Sequence, residues 1–346
     1  MNKTLWLIIP FMLVMAGCSN PGMDRKSLPD PKIVDSLELF LSVENHPLNR
    51  PDFMEVLPDG RLAILDTKTN KVQIYKPDSE LDRTFGGRGK GPGEFVAPRG
   101  LFVVDSVISV NDVAMMRFNQ FNLDGSFLHN YITERASFFG TVSPGEPYEY
   151  YSVANGEQGN LIRYHNTKTD SAYYFGEALA TNPPPTTDSE AFLKSAADGK
   201  VPDAIKNDLN LYYKNGSLYV FLKSYSRLHK YRNGQLDWEK TIELPVNRLI
   251  FENFTESVLE SKNAFGILRY IHDMTINNKT VFLLWNAAGD YPQQIVRVNS
   301  EGRITGIYKL PEKKRFSFSS LAVDLDNSWI YLAVSPIGEV YRFNIP

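Results

Sequence analysis

Apolar residues in this chain fall in short runs, either alternating with polar ones or continuous, and the runs are broken by Asp-Gly, Asn-Gly and Glu-Gly pairs. That pattern predicts many short antiparallel strands joined by tight turns. Residues 53–85 carry the clearest set: FMEVL, then RLAILD after Pro58-Asp59-Gly60, then KVQIY, then LDRTF. Four predicted strands with three short turns form one self-contained unit.

The unit recurs. Comparable sets of runs cover residues 99–132, 138–176, 210–244 and 271–310, and a sixth starts at Ser319 with SSLAVDLDN, WIYLAVS and EVYRFNIP. A period of roughly 35–45 residues is the spacing of repeat architectures. The sixth unit lacks its outermost strand, while KIVDSLELFL at 32–41 alternates and has no partner of its own. Pairing the two completes the unit, closes a ring and removes exposed sheet edges. The expected fold is therefore all-β: a six-bladed β-propeller of four-stranded antiparallel blades, closed by an N-terminal strand in the last blade. A β-sandwich or large barrel leaves the period unexplained.

Three stretches interrupt the repeat. FGGRGKGPGEFVAPRGL (85–101) joins the first two units, and its glycines and prolines mark a shaped connector. Helix-like insertions are expected near 186–208 and 250–266: one over Ser189 to Ala197, one starting at Thr255-Glu256-Ser257 and covering Val258, Leu259 and Phe265. Connectors between blades and the loops after each second strand emerge on one face of a propeller. The irregular chain is thus concentrated on one rim, where binding residues are usually carried.

The N-terminus adds a cellular address. Lys3 precedes the apolar run LWLIIPFMLVMA, and Gly17-Cys18 follows. Residues 1–17 have the make-up of a secretory signal and are too short for a spanning helix. Cys18 is the only cysteine, which excludes a disulfide framework. Met-Ala-Gly-Cys resembles a bacterial lipobox, which implies lipidation of Cys18 and membrane anchoring by several acyl chains. Residues 18–31, rich in Pro, Ser and charge, are a flexible tether, and 32–346 make up the propeller. Removing 1–17 takes away one lysine and no acid, moving the formal charge from −3 to −4. That balance argues against nucleic acid as a partner.

The segment DTKTNKVQIY (66–75), followed by FGGRGKGPGEFVAPRG, resembles an NHL repeat. The whole mature chain is similar to the six-bladed propeller lipoproteins of Bacteroidetes, related to TolB-like and NHL propellers. The tether, the closed ring and the elaborated rim point to a membrane-tethered binding or scaffolding module for a protein or glycan at the cell envelope. The resemblance to TolB-like propellers adds to the expectation of protein contact. By analogy with lipoprotein sorting, Ser19 after the lipidated cysteine favours the outer membrane. The absence of an acidic cluster there favours its periplasmic side.

Candidate chemistry is sparse. Asp66, matched by Asp112 in the second unit, is expected with Asn70 to cap a tight turn by side-chain to backbone bonds. Arg88 and Lys90 stand among glycines but lack the setting of a nucleotide loop, so they are expected as solvated rim charges. Arg50, Arg99 and His272-Asp273 lie near first strands, which line the channel. Strand alternation lets only one of His272 and Asp273 aim inward, and a structural polar pair is the expected reading. The five histidines show no metal-ligand spacing, and no nucleophile motif is present. No cofactor is expected from motifs. The alternative function is a propeller-type hydrolase or lyase with Ca2+ held in the channel by residues from several blades.

Overall fold

The computed structural model describes residues 28–133, 142–181, 189–261, 266–312 and 316–345. The signal segment and Cys18 lie outside these residues. Two short strands, β1 (Lys32–Ile33) and β2 (Glu38–Leu41), come first. Blade 1 is β3 (Pro51–Val56), β4 (Leu62–Asp66), β5 (Lys71–Tyr75) and β6 (Leu81–Gly86). Blade 2 is β7 (Pro98–Val104), β8 (Val107–Asp112), β9 (Arg117–Asn122) and β10 (Phe127–Ile132). Blade 3 is β11 (Val142–Pro144), β12 (Glu149–Val153), β13 (Asn160–Asn166) and β14 (Ser171–Glu177).

Helices α1 (Ser189–Ala197) and α2 (Asp203–Lys206) precede blade 4: β15 (Leu209–Lys214), β16 (Ser217–Leu222), β17 (Arg227–Arg232) and β18 (Gln235–Thr241). Helix α3 (Val246–Ser261) precedes blade 5: β19 (Ile271–Asn277), β20 (Thr280–Trp285), β21 (Gln294–Val298) and β22 (Ile304–Lys309). Blade 6 contains β23 (Ser320–Asp324), β24 (Trp329–Val334) and β25 (Glu339–Asn344). Within each blade, consecutive strands pair antiparallel in the order of the chain. Inner strands of neighbouring blades pack side by side, β23 against β3 included, so the ring is closed.

Burial follows position in the blade. The second strands β4 and β16 are buried at every residue, because neighbouring blades cover both of their faces. The outermost β18, QLDWEKT, is almost wholly exposed, and its charges protect an open edge. Hairpins on one face are tight: Asn215-Gly216 and Asn233-Gly234 take paired positive φ values of 52° and 69°, and 50° and 75°. Those values belong to type I′ turns, whose twist matches that of the flanking strands.

Ring closure is as expected, with one addition. β2 pairs antiparallel with β25 and completes blade 6. Arg342 on β25 binds both carboxylate oxygens of Glu38 at 2.6 and 3.0 Å, with its guanidinium 4.7 Å from the ring of Phe40 and 4.4 Å from that of Trp329. β1 also pairs, in parallel, with β22 of blade 5. The N-terminal segment therefore ties two blades. Lys32-Ile33 is too short to signal that second pairing by periodicity.

The helical insertions need one correction. α1 falls where expected, but α3 starts at Val246, just after Pro245, rather than at Thr255. Val246, Ile250, Phe254 and Val258 recur every fourth residue and form its buried stripe, which outweighs the local Thr-Glu-Ser start signal. Phe254 meets Phe192 of α1 edge to face at 6.3 Å. Phe265 lies outside the described residues.

Candidate ligand-binding cavity

The six inner strands surround a channel, and a cavity of about 530 Å3 occupies it. Its deeper wall carries Glu55, Phe102, Tyr212 and Thr275, from four different blades. Its other lining residues, including Ala97, Arg99, Lys223 and Arg269, lie where connectors and second-strand loops meet the inner strands. The cavity therefore belongs to the loop-bearing face. A groove of about 350 Å3 beside α3 shares Arg269 and His272 with it, so the two spaces adjoin.

The deep wall holds carboxyl groups that burial keeps from ionising easily. Glu55 is pushed up to about 7 by burial, against the pull of Lys214 and the Tyr212 hydrogen bond, with the Asp273 charge adding to the rise. The Tyr212 hydroxyl donates to Glu55 Oε1, joining blade 4 to blade 1 across the channel. Burial, with the Glu55 charge, holds that phenol well above its ordinary range. Asp273 is pushed up to about 6 by burial despite three donors: the Met274 N–H at 2.9 Å and the Ser320 hydroxyl and Leu321 N–H at 2.8 Å.

The loop end of the cavity is cationic. Arg99, Lys223 and Arg269 line it, with His272 beside them. Burial lowers Lys223 to about 8, with Asp208 raising it and Arg269 lowering it further. Burial, with the Arg269 charge, lowers His272 to about 4, so its imidazole is neutral at pH 7. Asp208 is the carboxylate of this group, pushed up by burial and drawn down by Lys223 and Arg269.

The sequence-predicted residues divide into three sets. Arg99, His272 and Asp273 line the cavity. His272 and Asp273 do so together, contrary to strict alternation, because the β19–β20 register shifts between Ile271 and Asp273, a β-bulge at His272. Asp273 bonds to blade 6 rather than pairing with its neighbour.

Asp66 and Asp112 are fully buried in their blades. Asp66 accepts the N–H groups of Asn49, Arg50, Lys68 and Thr69 at 2.9 to 3.3 Å, and Asp112 those of Val96 and Ala97 at 2.8 and 3.0 Å. Each pins the incoming connector to the end of a second strand. Asn70 donates instead to the carbonyls of Phe95 and Val96, each at 3.2 Å.

Arg88 and Lys90 are exposed on the glycine connector and do not line the cavity. The connector cradles nothing with its backbone, because the N–H groups of Gly87, Gly89 and Gly91 bond to Asn70, Phe95 and Glu94. Arg117 takes the carbonyls of Lys90, Gly91 and Glu94. Gly86 is required there, since at φ 83° an added Cβ would come within 2.3 Å of the Phe95 ring. Arg50 pairs with Asp52 at 3.0 Å.

Sequence reasoning missed Glu55, Tyr212, Lys223 and Arg269. Glu55 did leave a signal, as an acid within the apolar inner strand FMEVL. Lys223 and Arg269 sit next to strands at loop junctions, where no period points them inward. Among the described residues no set of three or more His, Cys, Asp or Glu could hold a metal ion. Glu55 and Asp273, the carboxylates that line the cavity, are engaged by Tyr212 and by blade 6 respectively.

Six four-stranded blades around a central channel define a β-propeller. Residues 44–201 match the model of a family described as 6-bladed beta-propeller. No curated protein matches the chain. Among solved structures, the chain is similar to a Bacteroides fragilis protein named as exported, with TM-score 0.57, 10% identity and coverage of 90% of this chain and 97% of that one. It is similar to a member of the duf4221 family from Bacteroides vulgatus, at 0.51 and 10%, over 90% and 94%. It is also similar to a catalytically inactive histidine-to-alanine variant of virginiamycin B lyase from Staphylococcus aureus with quinupristin, at 0.50 and 12%, over 90% and 99%. These identities establish the fold alone. The chain is a six-bladed β-propeller.

Proposed function

We propose that this propeller is a binding module of the bacterial cell envelope, anchored through lipid on Cys18, that receives a protein or glycan at its loop-bearing face. One observation carries the reading: a cavity of about 530 Å3, lined by apolar and charged side chains, at the centre of the face where the connectors and both helical insertions gather. That volume is within the range of small-molecule pockets, and a chain end or a short sugar would fit it. The similarity to a Bacteroides protein named as exported supports the envelope address. The periplasmic side of the outer membrane is the proposed location.

The test is a cavity-filling variant. Asn210 is half-buried and lines the cavity. Asn210→Trp is expected to abolish capture of envelope glycans or proteins while the variant melts like the parent. Unchanged capture by a folded Asn210→Trp protein would move the site elsewhere. A metal-dependent hydrolase or lyase is the second reading, favoured by His272 and two buried carboxyls in one cavity and by the fold-level likeness to a lyase. Metal analysis of the purified protein, with melts in chelator, checks it: a bound ion whose removal lowers the melting temperature would favour the enzyme.

A further inference from the structure

Charge is distributed unevenly along the channel. Arg99, Lys223 and Arg269 line one end of the cavity, where the Asp208 carboxylate interacts electrostatically with both Lys223 and Arg269. Arg99 makes a hydrogen bond to the adjacent Pro98 carbonyl at 3.1 Å, and no ion pair of Arg99 or Arg269 occurs among the described residues. Some other arginines are paired with carboxylates: Arg61 with Asp59 and Asp82, Arg342 with Glu38. Arg99 and Arg269 are exposed at the mouth and Lys223 is half-buried beside them. Like charges gathered there repel one another, and the adjoining low-dielectric protein strengthens the field. Two guanidinium groups and an ammonium are also the donors that hold oxyanions best, the former in a two-pronged fork.

We infer that the loop end of the cavity is an anion subsite, and that the occupant carries a carboxylate, phosphate or sulfate group facing Arg99, Lys223 and Arg269. This rests on the channel being the binding site and specifies what enters it. An anion there relieves the repulsion among the three cations and the desolvation of Lys223. The deep wall adds selectivity of orientation: Glu55 and Asp273 repel an anion once ionised, so the acidic group stays at the loop end and the uncharged body faces inward. The groove beside α3 shares Arg269, which leaves room for a ligand longer than the cavity.

Calorimetry with galacturonate, its neutral counterpart galactose, and inorganic phosphate and sulfate tests this on the folded chain. Galacturonate is expected to bind and galactose not. Phosphate or sulfate binding without galacturonate would assign the subsite to an inorganic or ester oxyanion rather than a carboxylate, and would still support it. Arg99→Gln with Arg269→Gln is expected to weaken binding about tenfold or more, the effect of losing charged hydrogen bonds. Arg88→Gln with Lys90→Gln, on the exposed connector, is expected to change nothing.

Equal binding of galactose and galacturonate, undiminished binding by the double arginine variant, or no binding of any of the three anions would overturn the inference. Asn210→Trp separates this from the parent reading. If it abolishes galacturonate binding while the arginine variant does not, the cavity stands as the site and the anion subsite falls. If neither variant matters, both fall.

Discussion

The first two blades and the fourth and fifth solve one problem by different means. Every inner strand is entered from a connector whose backbone must be satisfied near the rim. In blades 1 and 2 a buried carboxylate does this, Asp66 for Asn49 and Arg50, Asp112 for Val96 and Ala97. Around blades 4 and 5 the chain uses amides, which donate as well as accept. Asn207 accepts from Leu179 and Ala180 and donates to Ala180, and Asn247 accepts from Trp285 while donating to Ile242. Gln293 holds Phe318 by both N–H and carbonyl, at 2.7 and 3.0 Å. Asp112 holds the short glycine connector, whereas Asn207 and Asn247 accompany inserted helices, whose apolar stripes add packing that the short connector lacks.

The contrast can be broken where it is strongest. Asp66→Ala strips an acceptor from four backbone N–H groups and is expected to cost about 4 kcal/mol, read by urea denaturation. A loss below about 1 kcal/mol would mean that water replaces the carboxylate freely. Phe254→Ala, in the helical half, is expected to cost about 3 kcal/mol through the lost ring and the cavity against Phe192. Hydrogen exchange should then quicken in 246–261 while blades 1 and 2 keep their protection.

Glu55 connects the two halves through Tyr212, and its titration sharpens the comparison. Its folded value, about 7, lies above its ordinary 4.5, so the folded state holds the proton more tightly. This contribution to stability is present below about pH 4.5 and lost as pH rises to about 7, by at most on the order of 3 kcal/mol. Glu55→Gln should flatten that part of the stability profile. An unaltered slope would show that the carboxyl is not desolvated. Gln293→Ala should have the smallest effect, about 2 kcal/mol, because it removes two buried hydrogen bonds that hold a single residue, Phe318.

Much of this architecture was legible along the chain. The period located the blades, and the unpartnered run at 32–41 located the closing strand. The Asp66 turn was readable because side-chain capping is a local event within a few residues. Helix α3 was legible only in part, since its stripe begins before the capping signal that marks a start. The binding cavity was least legible. Arg99 and the His272-Asp273 pair could be proposed from their place at first strands, yet the bulge that turns both into the channel has no sequence mark.

By itself the sequence determined the strand content, the number of blades, the closure and the turns, because periodicity and turn chemistry act between near neighbours. Only the tertiary structure decided which polar residues share the channel. Glu55 and Tyr212 lie 157 residues apart and meet across the ring. Lys223 and Arg269 converge with Arg99 because three blades bring their strand ends to one mouth. Convergence of that kind depends on the closed ring, and no window of the chain contains it.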